Sequence, residues 1–186
     1  MRLNSNYTIV VVDMLYDFID GALACQGAET AVQNAVKFIE ENPDCSVIYV
    51  LDHHPANHSS FVEYGGIWPV HCVAGTRGGD IHESFYTLSK GAPSEDNSYF
   101  KGCDAAVEQY SGFEAVNGAG VKIMDALSDN VVVCGIATEY CVKATCLDIL
   151  SAGHSVELVE SALAYVDYNG HKETLIELQN RGVQLI

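Results

Sequence analysis

Five short β-branched runs, at residues 9–12, 47–51, 131–134, 156–159 and 183–186, recur along the chain and constrain its fold more than any other feature. Runs this short and this uniformly apolar suit strands buried on both faces. The segments between them carry helical spacing. Ala28–Glu41 sets Ala31, Ala35, Val36 and Ile39 on one face, and 121–127 follows Gly118 and Gly120. Residues 144–150 continue a helix that starts near Thr138, and Tyr168–Arg181 closes at Gly182 as a C-cap. Such alternation predicts a doubly wound, mainly parallel sheet with helices on both faces, a three-layer α/β/α architecture. With 186 residues and 48% hydrophobic content, the chain is expected to form one domain over 1–186.

One stretch departs from this pattern. From His53 to Gly102 turn residues and histidines crowd and periodicity fades, and a loop region of that length in a compact domain is usually functional. Ligands of open α/β sheets bind beyond the carboxyl ends of the strands, which directs attention to Asp13, Asp52 and the segment from Gly135 onward.

Composition narrows the partners. The chain has 25 acidic and 9 basic side chains, a formal charge of -16, which repels phosphate backbones and anionic headgroups, so neither nucleic acid nor a membrane is expected. The polar opening at 1–7 runs into the first strand without the features of a signal peptide, and no apolar run reaches the length of a membrane span. Seven cysteines, scattered without paired spacing, read as reduced thiols in a cytoplasmic protein.

Four signals carry chemistry, each with a structural alternative. Asp13 follows the first strand, where burial raises a carboxylate toward a range useful for proton transfer; it equally reads as a helix N-cap. Asp52 and His54 share one side of an extended backbone and can hold one cation, with His71 as a third ligand, or they form a local hydrogen-bonded pair. His53, His58 and His82 are further candidates. Cys141 lies where a strand meets a helix that Thr138 can cap; there the helix macrodipole favours thiolate and free N–H groups can receive an oxyanion, although buried cysteines are commonly inert, as expected of Cys134 and Cys146. Lys101, after Tyr99 and Phe100, can hold a carboxylate and a thiolate in charged form, or is an exposed lysine.

Six motifs in order resemble those of the isochorismatase-like hydrolase superfamily, and within it its nicotinamidase branch. They are Val12-Asp13-Met14-Leu15-Tyr16-Asp17-Phe18, the run from Asp52 to Phe61, Trp68-Pro69-Val70-His71-Cys72-Val73, Phe100-Lys101-Gly102, Tyr110-Ser111-Gly112-Phe113, and Gly135-Ile136-Ala137-Thr138-Glu139-Tyr140-Cys141-Val142. The resemblance implies a sheet of about six strands in the order 3-2-1-4-5-6, a triad of Asp13, Lys101 and Cys141, and one divalent metal ion (zinc, iron or manganese) on Asp52, His54 and His71. It further implies a cis peptide between Ile136 and Ala137, an oxyanion hole from the amides of Ala137 and Cys141, and a ring pocket of Phe18, Trp68 and Tyr140. The implied activity is hydrolysis of nicotinamide to nicotinate and ammonia, and of pyrazinamide, through a thioester; the alternative within the superfamily is another small-carboxamide or carbamoyl amidohydrolase. Relatives form homo-oligomers in several states, so a homo-oligomer is a possible assembly. In some relatives a residue matching His58, or a serine near Ser60, joins the metal. The family's Gln-Asn after the aspartate is here Leu15-Tyr16, which is expected to withdraw polar support from the metal or from Asp13.

Overall fold

The computed structural model describes residues 3–186; the first two residues of the polar opening lie outside the described residues. A seven-stranded sheet forms the centre, in the order β4-β3-β2-β1-β5-β6-β7. Its strands are β1 (Tyr7–Val12), β2 (Ser46–Asp52), β3 (Ser98–Lys101), β4 (Val116–Asn117), β5 (Asn130–Gly135), β6 (Ser155–Leu163) and β7 (Gln184–Leu185). All neighbours pair in parallel except β3 with β4. The six parallel strands therefore follow the expected order, and the two-residue antiparallel β4 adds an edge.

Alternate residues of the central strands feed two separate apolar layers. Ile9, Val11, Tyr49, Leu51, Val132 and Cys134 pack on α2 (Ala28–Glu41), through its buried Ala28, Ala31, Val32, Ala35 and Ile39. Val10, Val12, Ile48, Val50, Val131 and Val133 pack on the other face with Ile149 of α3 (Lys143–Ser151) and Leu175 and Leu178 of α4 (Tyr168–Arg181). Both faces are covered, which is why these strands read as unbroken apolar runs. Cys134 and Cys146 are fully buried core residues, as expected. A short helix, α1 (Tyr16–Ile19), follows β1. The last helix has the bounds expected of it, with the Asp167 side chain accepting from Gly170 N–H at its start and Gly182, φ +107°, ending it.

Two local expectations are corrected. The helix over 121–127 is only a 3-10 turn at Ile123–Asp125: seven residues, with Val121 and Met124 exposed, bury too little to offset helix nucleation. The irregular stretch from His53 to Gly102 ends in β3, whose four residues are too few to show a period. No helix among the described residues is long and apolar enough to cross a membrane.

Candidate active site

The parallel register delivers the polar residues to one edge. Asp52 closes β2 directly beside Lys101, which closes β3, and Gly135 closes β5 beside Val12. Gly135 is required there: at φ +142°, an added Cβ would lie 2.2 Å from the Val12 carbonyl oxygen. Asp13 adopts a left-handed backbone (φ 48°), and its Oδ1 accepts from the Asp52 N–H at 2.8 Å, locking the two strand ends together. Asp13 is thus not a helix cap.

Lys101 is buried to 1% exposure and reaches four residues at once. Its Nζ lies 3.0 Å from Asp13 Oδ2, 3.4 Å from Cys141 Sγ and 3.4 Å from the Gln109 carbonyl, and it donates to Asp52 Oδ1. The alternative of an exposed lysine is excluded. Burial alone would discharge the amine, but the carboxylates of Asp13 and Asp52 outweigh it and hold its pKa well above the usual lysine value. Burial and the neighbouring Asp52 charge push Asp13 up to about 6, with Lys101 opposing them. Burial also opposes ionisation of Asp52, yet the Lys101 ammonium and the His54 imidazole hold it below the ordinary carboxylate range.

Cys141 belongs to a π-helical turn, Thr138–Val142, that leads into α3. Thr138 does not cap it: its hydroxyl donates to the Ala164 carbonyl at 3.0 Å, and no side chain caps the turn. The expected thiolate is corrected as well. Burial raises the Cys141 thiol well above its ordinary value, Lys101 opposing and the two aspartates adding to it, the opposite direction to that expected of a helix start. The Ile136–Ala137 peptide is cis, and the Ala137 N–H has no protein acceptor among the described residues.

Asp52, His54 and His71 bring one ligand atom each to within 4.8 Å of one another, all three buried. His54 Nδ1–H donates to the Gly102 carbonyl at 2.9 Å and His71 Nδ1–H to the Pro69 carbonyl at 2.8 Å, which leaves both Nε2 atoms for a ligand. That arrangement of imidazoles, oriented from behind by carbonyls beside a carboxylate, fits a divalent cation. Asp52 pushes His54 up against the opposing effect of burial; burial pushes His71 down, toward the neutral form that ligates. Asp13, Asp52 and Cys141 also converge within 4.8 Å, but the Lys101 ammonium already provides their cation.

The remaining histidines lie outside this set of three, although the His58 ring sits with its centroid 4.1 Å from that of His54. Both nitrogens of His58 are engaged, Nδ1 with the Ser60 hydroxyl and amide and Nε2–H with the Val107 carbonyl, so neither His58 nor Ser60 adds to the cluster. His53 packs on Phe100, and His82 accepts from the Ser84 amide. Leu15 is fully buried in the core and the Tyr16 ring lies under Arg77, 3.9 Å away. The substitution at 15–16 is therefore absorbed by core and surface, and the imidazoles take their support from carbonyls instead.

A cleft partly open to solvent is lined by Phe18, Trp68, His71, Tyr140, Asp52 and Cys141. Trp68 packs edge-on to Tyr140 with centroids 5.0 Å apart and donates from Nε1 to Tyr110 Oη at 3.0 Å. Sequence reasoning missed Leu23, Cys25, Glu108 and Val166 as lining residues, and Tyr110 was marked only by its motif. Asp17 was also passed over. Its Oδ2 accepts from the Cys72 amide at 2.7 Å and so anchors the residue after His71.

The isochorismatase domain model matches residues 7–186. The chain belongs to the isochorismatase domain family. Within that family it is similar to the nicotinamidase/pyrazinamidase of Mycobacterium tuberculosis, 32% identical over 187 residues that span 96% of this chain and 97% of that one. The pyrazinamidase of Pyrococcus horikoshii, solved in complex with zinc, superposes with a TM-score of 0.84 at 32% identity, covering 97% of this chain and 98% of that one. PnC1 from L. infantum, solved in complex with nicotinate, gives 0.85 at 29% identity over 100% and 96%.

Proposed function

We propose that this protein is a cysteine amidohydrolase that splits nicotinamide into nicotinate and ammonia, and accepts pyrazinamide. One observation carries the reading: Cys141 and Asp13 meet on Lys101 beside the Asp52, His54 and His71 cluster, at the head of an aromatic cleft. The relatives named above support the substrate.

In this reading Asp13, with its pKa near 6, takes the proton of the Cys141 thiol. The sulfur attacks the carboxamide carbon, forming the C–S bond, while the amides of Ala137 and Cys141 receive the oxyanion. Asp13 returns its proton to the nitrogen as the C–N bond breaks and ammonia leaves. A water deprotonated by Asp13 then attacks the thioester, the C–S bond breaks as Asp13 returns that proton to the Cys141 sulfur, and the acid formed ionises to the carboxylate, its proton passing to solvent or to the released ammonia. Lys101 holds the charge of Asp13 and Asp52 throughout. Phe18, Trp68 and Tyr140 flank the ring. A divalent cation held by Asp52, His54 and His71 would supply a Lewis-acidic point for orienting and polarising the heterocycle; this donor set suits zinc, iron or manganese. The seven unpaired thiols fit a reducing, cytoplasmic compartment, and the reading covers 1–186 as one catalytic domain.

The test is ammonia release from nicotinamide by the purified protein, as isolated, after chelation, and after adding zinc, iron or manganese separately. Activity lost on chelation and restored by metal is expected. Folded protein that releases no ammonia under any of these conditions refutes the substrate assignment.

A further inference from the structure

Residues 107–110 are tied to the site at four points. The Val107 carbonyl accepts from His58 at 3.1 Å, the Gln109 side-chain oxygen from the Gly102 amide at 3.0 Å, and Tyr110 Oη from Trp68 at 3.0 Å; the Gln109 carbonyl lies 3.4 Å from Lys101 Nζ. Between these anchors stands Glu108, which lines the cleft. The other two carboxylates of the site, Asp13 and Asp52, share the Lys101 ammonium. Glu108 is solvent-exposed at the wall of the cleft and makes no ion pair among the described residues, so no partner neutralises its carboxylate beside a cleft occupant.

The proposed reaction turns a neutral carboxamide into a carboxylate of nearly the same shape. Aromatic contacts alone do not separate two such molecules; hydrogen-bond polarity and charge do. The geometry points to Glu108 as a specificity-determining residue, whose carboxylate disfavours anions in the cleft and so admits the amide and expels the acid. This rests on the nicotinamide-hydrolysing reading above. A like charge beside a partly open cleft changes affinity by roughly 3- to 10-fold, less in salt.

The experiment compares wild type, Glu108→Gln and Glu108→Asp. Product inhibition by nicotinate is measured against nicotinamide hydrolysis, and nicotinate binding is measured directly by calorimetry, each at low and high salt. The ratio of nicotinate Ki to nicotinamide KM is expected to fall about 3- to 10-fold in Glu108→Gln, to stay near wild type in Glu108→Asp, and to converge among the three proteins at high salt. A Glu108→Gln protein that binds nicotinate no more tightly than wild type, or that tightens amide and acid equally, overturns the role of Glu108 alone. A wild type that releases no ammonia from nicotinamide overturns the reaction, and this inference with it.

Discussion

Gly102 offers the sharpest test of how the metal cluster is built. It follows Lys101 with φ +65°, and a Cβ there would stand 2.4 Å from His54 Cε1 and 2.6 Å from Nδ1. The Gly102 carbonyl is also the acceptor that orients that imidazole. Gly102→Ala therefore carries two costs: about 1–2 kcal/mol for a left-handed backbone with a side chain, and about 1 kcal/mol for the hydrogen bond lost when the ring is displaced. The sum is about 2–3 kcal/mol. Gly153→Ala, at φ +99° with nothing within 4 Å, carries only the backbone part and serves as the control. Urea unfolding of the metal-free proteins measures the difference between them, and chelator competition measures zinc affinity. Gly102→Ala is expected to bind zinc about 10- to 100-fold more weakly, and Gly153→Ala as wild type. If Gly102→Ala is no less stable than Gly153→Ala and binds zinc as tightly as wild type, the oriented-imidazole account of the cluster is wrong.

Cys141→Ala is expected to lower nicotinamide hydrolysis at least about 10³-fold while thermal unfolding stays cooperative; undiminished ammonia release would remove the nucleophile. Lys101→Met strips the counter-ion from two buried carboxylates, and a loss of about 3–5 kcal/mol in the metal-free protein is expected by urea unfolding; an unchanged midpoint would mean that Lys101 does not hold the charge of this site. Tyr110→Phe deprives Trp68 of its acceptor, at about 0.5–1.5 kcal/mol. Because Trp68 is the sole tryptophan, its emission should shift and the nicotinamide KM should rise several-fold with a smaller change in kcat; neither change would leave Tyr110 without a positioning role.

Much of this was legible in the chain itself, because the relevant physics is local. Apolar runs of four or five residues, helical spacing in Ala28–Glu41, and a glycine stop after Arg181 report burial and backbone preference directly, and they specify the layers and the order of elements. Asp13 and Asp52 mark themselves by ending such runs, and the order of motifs marks the rest. What needed tertiary structure are the choices made by residues distant in sequence. Parallel register across β1, β2 and β3 decides that one ammonium serves Asp13, Asp52 and Cys141 together. His58 sits six residues from Asp52 yet is excluded from the cluster by carbonyl and hydroxyl partners at Val107 and Ser60. Thr138 has the chemistry of a cap but spends its hydroxyl on Ala164. Burial opposes the thiolate preference that a helix start suggests for Cys141, and Glu108 lines the cleft in a segment whose neighbours are bound to His58, Trp68, Lys101 and Gly102. Spacing reports what a residue can do; which partner satisfies it, and how much water it loses, is set by the packing of the whole sheet edge.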